Sequence, residues 1–330
     1  MEMNFRINEV DGVTEGDRRF MKHINHDKYV RITACEEGNK PGCLLPETFL
    51  DIAQRIRDME VRETDIWVLS YPKSGTTWTQ EMVWCICNDL DFESAKSTIL
   101  PIRFPFLELS TFLTGKRGIP PLLKDSVSYV ENMESPRFIK CHLPWELLPK
   151  QIKTVKPKII YVARNPKDLC LSYYHQLVRQ GLFKGNFEEM AELFLEDRVP
   201  YSPYWDHVLT YWEHRYDPNL LFIKYEDMKK DLPSICTRVA SFLDEDCSDI
   251  GQLSELCSHL SFEAMKSNVS VNYTFWENTD IVSCLGDINR NFMRKGKVGS
   301  WKEEMSPHMA KRFDTWIERH LMTTDFSFYR

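Results

Sequence analysis

Short apolar runs alternate with amphipathic helical patterns along most of this chain, and this alternation constrains its fold more than any other feature. The runs that suit buried strands lie at residues 66–71, 138–141, 158–163 and 220–225. The clearest helical patterns lie at residues 77–88, 166–180, 187–198, 203–215, 232–243 and 307–321. The pairs Asn165-Pro166 and Ser306-Pro307 are typical helix starts. The pattern predicts an α/β fold with a central parallel sheet flanked by helices.

The chain shows no internal repeat, low-complexity tract or long linker, so we expect a single domain. We place this domain at residues 65–330, with residues 1–64 as an N-terminal segment packed on it. Residues 91–137 have weak periodicity and several prolines and glycines. They predict a long excursion that carries function or covers a pocket.

The charge balance limits the ligands that the chain could attract at long range. Lys and Arg number 42 against 49 Asp and Glu, which gives a net charge of -7. This balance argues against nucleic acid and anionic membranes as partners, so an anionic ligand needs a local basic pocket. The first residues lack the pattern of a signal peptide, and no window approaches the ~20 apolar residues of a spanning helix. We therefore expect a cytoplasmic protein with no membrane segment.

The ten cysteines are scattered and include no CxxC pair. Metal binding is therefore not expected. In a chain without a secretion signal, we interpret these cysteines as reduced thiols that serve as small apolar side chains.

Residues 71–78, with the sequence YPKSGTTW, follow an apolar run and open a helical pattern. A glycine-bearing turn from strand to helix points free backbone N–H groups at a ligand, and the helix N-terminus favours an anion. The segment is not a Walker A motif, because Lys73 precedes Gly75. Lys73 is placed to offset charge on a transferred group without the usual Mg²⁺ arrangement. An ordinary turn that contains glycine and serine is the alternative interpretation.

Two further segments combine cations with a turn. Residues 164–175, RNPKDLCLSYYH, place Arg164 at a strand end and Ser172 about two turns into a helix, so both could reach one anion. Residues 292–302, FMRKGKVGSWK, pack several cations and two glycines into a short loop. Arg294 offers a bidentate fork there. A surface ion pair and a solvated basic loop are the alternatives.

Residues 138–144, FIKCHLP, end a predicted strand with Lys140 and His142 two positions apart. On a strand, residues at this spacing face the same side. An imidazole with a pKa near neutrality suits a general base, although a lone histidine is more often structural.

Together these segments resemble those of the cytosolic sulfotransferases. Residues 71–78 resemble the family's 5′-phosphosulfate loop, residues 138–144 its K-x-H-L-P element, and residues 292–302 its RKGxxGxWK signature. The resemblance extends from about residue 65 to residue 301 and is greatest to the insect members, a group that includes retinol dehydratase. It implies 3′-phosphoadenosine 5′-phosphosulfate (PAPS) as co-substrate and adenosine 3′,5′-bisphosphate (PAP) as product.

The resemblance also implies residue roles for the nucleotide. It implies that the 5′-phosphosulfate is held by Lys73, Ser74, Gly75, Thr76 and Thr77. It implies that the 3′-phosphate is held by Arg164, Ser172, Arg294, Lys295 and Gly296. It implies that adenine is contacted by Trp78, Tyr225 and Phe262. Leu260 stands where many relatives carry threonine, which removes a hydroxyl near the base.

For the reaction, the resemblance implies that His142 is the general base and that Lys73 and Lys140 offset charge on the sulfuryl oxygens. The acceptor would be a small, largely apolar molecule with a hydroxyl, and the pocket candidates are Phe104, Phe106 and Tyr174. Gln176 occupies a place where several phenol-sulfating relatives have phenylalanine. Phenols, sterol-like alcohols and retinoids all remain candidate acceptors.

Several functions stay open at this point. The product could be a stable sulfate ester, or a sulfated allylic alcohol that expels sulfate, which amounts to dehydration. A nucleotide-binding protein without turnover is disfavoured by the presence of both Lys73 and His142. A nucleoside-phosphate kinase is disfavoured because the lysine precedes the glycine.

The oligomeric state is a separate prediction. The family's dimer segment, K-x-x-x-T-V-x-x-x-E, is broken here at Ser306, Pro307 and Lys311. We predict a monomer, or a dimer through another surface.

Overall fold

A computed structural model of this protein describes residues 5–10, 12, 14–24, 28–37, 40–113, 121–274 and 292–328. The described residues form seven strands: β1 (Phe5–Glu9), β2 (Tyr29–Ala34), β3 (Cys43–Pro46), β4 (Ile66–Leu69), β5 (Phe138–Cys141), β6 (Lys158–Ala163) and β7 (Leu220–Lys224). They also form a series of α-helices in this order: α1 (Glu15–His23), α2 (Leu50–Asp58), α3 (Thr76–Ile86), α4 (Phe92–Ser97), α5 (Leu100–Arg103), α6 (Pro121–Lys124), α7 (Ser126–Glu131), α8 (Ile152–Val155), α9 (Pro166–Arg179), α10 (Phe187–Leu195), α11 (Tyr204–Glu213), α12 (Tyr225–Lys230), α13 (Leu232–Phe242), α14 (Ile250–His259), α15 (Phe262–Ser267) and α16 (Pro307–Leu321).

The four predicted strands form one parallel sheet with the order β5-β4-β6-β7, and helices surround it. The predicted fold class is therefore confirmed. β4 and β7 end earlier than predicted, because β4 leads into the turn around Lys73 and α12 begins directly at Tyr225. Helix α10 ends at Leu195 rather than near residue 198. There Asp197 adopts a left-handed conformation with φ 54°, and the amide of Arg198 closes the turn onto the carbonyl of Leu193 at 2.8 Å.

The predicted helix starts have a clear physical basis. The Asn165 side chain accepts a hydrogen bond from the amide of Lys167, and Pro166 takes the first position of α9, where its missing N–H costs nothing. Ser306 caps α16 in the same way by accepting from the amide of Met309.

Alternate residues of the parallel sheet pack into apolar clusters on its two faces, as a sheet covered on both sides requires. Trp67 and Leu69 belong to one cluster, and Val68 belongs to the other. The first cluster also contains Phe20 and Leu44, from the N-terminal part of the chain. There β1, β2 and β3 form an antiparallel sheet that sequence reasoning did not anticipate.

The order of the strands determines where a ligand can bind. β4 lies between β5 and β6, so the connections that leave its neighbourhood run in opposite directions across the sheet. In such a sheet the crevice lies outside the carboxyl ends of the strands, at this point of reversal. The segments that follow β4, β5, β6 and β7 begin at Ser70, His142, Arg164 and Tyr225, and all of them meet at this edge.

Candidate active site

A cavity of about 630 Å³ lies at this edge of the sheet. Most of the residues that the sequence singled out line it: Lys73, Gly75, Thr76, Thr77, Trp78, Phe104, Phe106, Lys140, His142, Arg164, Ser172, Tyr225, Phe262, Arg294, Lys295 and Gly296. Two candidates are not among the described residues that line it, Ser74 and Tyr174. The structure thus brings together cations from four separate segments of an acidic chain.

The turn after β4 has a backbone that favours an anion. Lys73 and Gly75 both have positive φ, 73° and 105°, and α3 begins at the next residue. A Cβ on Gly75 would lie 2.7 Å from Cδ2 of Tyr225, so both space and conformation require glycine there. Ser74 is fully buried beneath the turn, and its Oγ has no hydrogen-bond partner among the described residues.

Lys73 is held among other cations. Its Nζ donates a hydrogen bond to Oε1 of Gln176 at 3.3 Å and lies 4.4 Å from the ring centroid of Phe292. Burial lowers the pKa of Lys73 well below its usual value, and the charges of Arg179, Lys140 and Arg164 lower this pKa further. An anion bound beside Lys73 would relieve this repulsion.

His142 follows β5, and its surroundings fix the tautomer of its ring. Nδ1 lies 2.8 Å from the carbonyl oxygen of Ser70, which can only accept, so Nδ1 carries the proton and Nε2 keeps its lone pair. Burial lowers the pKa of His142 well below 6.5, and Lys140, His207 and Lys73 lower it further. The imidazole is therefore neutral near pH 7, as a general base must be.

Sequence reasoning missed the residues that hold the backbone of His142. Oε1 of Glu108 accepts from the amide of His142 at 2.7 Å and from the hydroxyl of Tyr201 at 3.3 Å. Nε2 of His207 donates to the carbonyl of His142 at 2.9 Å. Burial raises the pKa of Glu108 to about 7. No local pattern marks Glu108, because its partners lie on distant parts of the chain.

Arg164 contacts both the turn after β4 and the basic loop. Its Nη1 donates to the carbonyl of Lys73 at 3.1 Å, and its guanidinium carbon lies 4.3 Å from the ring centroid of Tyr225. Its Nε is buried without a hydrogen-bond partner among the described residues. Gly296 has φ 59°, and a Cβ there would lie 2.2 Å from Cδ2 of Phe262. The glycine thus lets the basic loop approach that ring closely.

Carboxylates hold the cations of the basic loop. Nη1 of Arg294 donates to Oε1 of Glu304 at 2.7 Å, and Nζ of Lys295 donates to Oε2 of Glu303 at 2.5 Å. Nε2 of His175 lies 2.8 Å from Oε2 of Glu304. Sequence reasoning missed both glutamates, although they closely follow the glycine loop and are the nearest acidic residues to it.

Three aromatic side chains form an apolar slot beside these cations. Trp78 and Tyr225 lie with their ring centroids 5.7 Å apart, and Phe262 also lines the cavity. Nε1 of Trp78 donates to the carbonyl of Leu260 at 2.8 Å, which fixes the plane of the indole. Leu260 itself is buried. Trp78 and Tyr225 meet edge to face, and each ring offers an aromatic surface on which a planar ligand can pack.

The excursion over residues 91–137 supplies one wall of the cavity. Phe104, Phe106, Phe112 and Leu123 line it from short helices and turns, and the Phe106 ring lies 4.3 Å from Nζ of Lys140. Pocket candidate Tyr174 instead packs against Phe183 and Phe187, with ring centroids 6.1 Å and 5.6 Å away. Tyr173 lines the cavity in its place, because successive residues of α9 point about 100° apart.

The fold is α/β, and its cavity gathers basic side chains and two glycine-bearing turns at the carboxyl edge of a parallel sheet. Residues 63–325 match the sulfotransferase domain family, and the chain belongs to this family. Luciferin sulfotransferase of Photinus pyralis is 42% identical over 288 residues, which cover 84% of this chain and 77% of that protein.

Two solved structures cover nearly the whole chain. Retinol dehydratase in complex with retinol and PAP has a TM-score of 0.87 at 31% identity and covers 99% of this chain and 100% of that one. The same enzyme with androsterone and PAP has a TM-score of 0.86 at 32% identity, with 100% and 99% covered. The predicted family and the predicted sulfotransferase activity are confirmed. Within the described residues, every helix is too short or too polar to span a bilayer.

Proposed function

We propose that this sulfotransferase moves a sulfuryl group from PAPS onto a hydroxyl of a small, largely apolar acceptor, with His142 as the general base. The observation that carries the proposal is the fixed tautomer of His142. Its Nδ1 is committed to the carbonyl of Ser70, and the ring lines the same cavity as Lys73 and Lys140. This pairing of a neutral base with two cations suits transfer of an anionic group.

The chain's residues divide the work of an in-line displacement. PAPS, when bound, supplies the sulfuryl group, and its bond to the 5′-phosphate breaks as the acceptor oxygen bonds to sulfur. His142 takes the hydroxyl proton on Nε2, while Lys73 and Lys140 offset negative charge on the sulfuryl oxygens. Positioning and electrostatics supply the rate.

The nucleotide fits the residues that are present. Oγ of Ser74 and Nε of Arg164 are buried and have no hydrogen-bond partner among the described residues, and Gly75 and Gly296 leave no room for a Cβ. We assign the 5′-phosphosulfate to Lys73, Ser74, Gly75, Thr76 and Thr77. We assign the 3′-phosphate to Arg164, Ser172, Arg294, Lys295 and Gly296, and adenine to Trp78, Tyr225 and Phe262.

Phe104, Phe106 and Tyr173 support an acceptor with an apolar body, such as a phenol, a sterol-like alcohol or a retinoid. We further propose a cytoplasmic location, since the described cysteines are all free thiols.

Residues 1–64 are proposed to pack on the sulfotransferase domain of residues 65–330. The presence of Phe20 and Trp67 in one apolar cluster supports this packing.

Dehydration of an allylic alcohol through a sulfated intermediate is the second candidate function. The observation that favours it is the likeness to retinol dehydratase over nearly the whole chain. The two functions share the transfer step and differ in whether the sulfate ester persists.

An acceptor screen with labelled PAPS tests both functions. Phenols, sterols and retinol are offered in turn, with the His142→Asn variant as the blank. Labelled ester is expected for at least one class. With retinol, free labelled sulfate together with a dehydrated hydrocarbon would assign the second function. If the variant matched the wild-type enzyme in every reaction, the base would be misassigned.

A further inference from the structure

Arg179, the last residue of α9, lines the cavity, but neither the sequence motifs nor the proposed reaction uses it. Its Nη2 donates to Oε1 of Gln176 at 3.1 Å, and the same oxygen accepts from Nζ of Lys73 at 3.3 Å. An amide oxygen can satisfy two donors because it has two lone pairs. It carries no net charge, however, so both cations keep their charge uncompensated.

The guanidinium of Arg179 still has an unmet donor. Its Nε is buried and has no hydrogen-bond partner among the described residues. Within the same described ranges, no carboxylate lies within 4.0 Å of its nitrogen atoms. Its guanidinium carbon instead lies 5.4 Å from the ring centroid of Phe292. Burial lowers the pKa of Arg179, which reflects the cost of holding this charge away from water.

The other arginines of the cavity differ from Arg179 in their partners. Arg294 is paired with Glu304, and Arg164 donates to the carbonyls of Lys73 and Lys297. Arg179 combines an apolar setting with a planar fork that has only one partner oxygen. A half-buried cation of this kind is stabilised most by a carboxylate, which can accept two parallel hydrogen bonds.

We infer that Arg179, with Gln176 beside it, binds a carboxylate of the acceptor, so that the acceptors of this enzyme include hydroxy acids with an apolar body. The inference rests on the proposed function and specifies its substrate class. Arg179 lies seven residues beyond Ser172 on α9, a rise of about 10 Å along the helix axis. This separation places Arg179 away from the proposed 3′-phosphate site. The transferred sulfuryl group is the other anion that Arg179 could contact. The experiment below distinguishes binding of the acceptor carboxylate from binding of the sulfuryl group.

The probes are 4-hydroxyphenyl alkanoic acids of increasing chain length, each compared with its primary amide. The amide has nearly the same size and keeps the hydroxyl but lacks the charge. At the best chain length, we expect the wild-type kcat/KM for the acid to exceed that for the amide by about 10- to 100-fold, as for a hydrogen bond to a charged group. Calorimetry of acid and amide binding to the enzyme with PAP should show the same preference without turnover.

Three variants test the assignment. Arg179→Gln should abolish the acid preference and leave PAP affinity near wild type. The ratio of acid to amide turnover is the readout, because the charge of Arg179 also lowers the pKa of Lys73 and its loss changes both reactions alike. Gln176→Glu should also abolish the acid preference, because the new carboxylate would then pair with the guanidinium of Arg179. Arg179→Lys should keep part of the preference, because it retains the charge and loses the bidentate geometry. Arg215→Gln, at an arginine that contacts Trp212 and Asp325 outside the cavity, is the matched control.

The outcomes are distinct. Equal losses for acid and amide in Arg179→Gln would assign the arginine to the sulfuryl group and overturn the inference. A wild-type enzyme that binds acid and amide equally would also overturn it. Failure of both probes to turn over would count against the proposed function. The calorimetric ratio would still decide the role of Arg179.

Discussion

Replacing His142 with asparagine tests the proposed mechanism most directly. Nδ2 of asparagine occupies nearly the position of the histidine Nδ1, so it can still donate to the carbonyl of Ser70, which lies 2.8 Å from Nδ1 in the native protein. The backbone bonds to Glu108 and His207 do not involve the side chain. The variant therefore removes the Nε2 lone pair and retains most of the contacts that hold the segment.

The expected loss lies in turnover. A positioned general base contributes about 100- to 10,000-fold, or about 3 to 5.5 kcal/mol of the barrier. The phosphate turn, Arg164, Ser172 and Arg294 are untouched, so PAP affinity should change little. The assay measures kcat, calorimetric PAP affinity and melting temperature on one preparation. His207→Gln is the matched control, because His207 is also a buried histidine and a glutamine can replace its Nε2 donor.

The pH dependence of the wild-type enzyme gives a second test of the same residue. A base acts in its neutral form, and the pKa of His142 is held well below 6.5 by burial and nearby cations. The acid limb of kcat/KM should therefore lie well below pH 6.5. Near-normal turnover in a folded His142→Asn enzyme would show that another group takes the proton. Joint loss of PAP binding and thermal stability would indicate a structural histidine.

Four further predictions concern the basic loop, Glu108 and the oligomeric state. Arg294→Ala should weaken PAP binding by about 1.5 to 3 kcal/mol and leave adenosine 5′-monophosphate binding unchanged, whereas equal losses for both ligands would contradict the 3′-phosphate assignment. Glu304→Gln should tighten PAP binding by roughly 0.5 to 1 kcal/mol, because a partly exposed carboxylate no longer competes for Arg294; weaker binding would refute this competition. As the pH rises from 4.5 to 8, the free energy of unfolding of Glu108→Gln should increase by about 3 kcal/mol relative to that of the wild type. Burial raises the pKa of Glu108 to about 7, so the folded wild type binds a proton that the unfolded chain releases, and it loses stability as the pH rises through this window. Urea unfolding at several pH values measures the difference between the two proteins. A difference that does not change with pH would contradict this prediction. Light scattering should find a monomer, or a dimer that survives changes at residues 302–307, and a dimer lost on changing them would contradict the prediction.

Local patterns in the sequence were sufficient to predict the parallel sheet and most of the cavity wall. The turn at Lys73, the pair Lys140 and His142, and the basic loop at Arg294 each lie within about a dozen residues, and their spacing carries the chemistry. The carboxyl edge of a parallel sheet then brings them together without further information.

The contacts that tune these groups could not be predicted, because they join distant segments. The amide of His142 meets Glu108 through an isolated bridge between Phe106 and Lys140, in a region with weak periodicity. The orientation of α9 decided that Tyr173 rather than Tyr174 reaches the cavity. A one-residue difference on a helix turns a side chain by about 100°, which composition does not reveal.

The charges in the cavity fall into two groups, and this division bears on how the nucleotide binds. Under the proposed assignment, the 3′-phosphate replaces Glu303 and Glu304 as the partner of Arg294 and Lys295, so that one set of ion pairs is exchanged for another. Exchange of this kind yields less affinity than an anion that meets unpaired cations, because part of the gain offsets the ion pairs that are lost. At the other end, Lys73 is surrounded by cations, and its pKa is lowered by burial and by their charge. An anion there would relieve the repulsion between these cations, so the 5′ end should supply most of the binding free energy. The 3′ end would supply the smaller share, and this share is the difference in affinity between PAP and a ligand that lacks the 3′-phosphate.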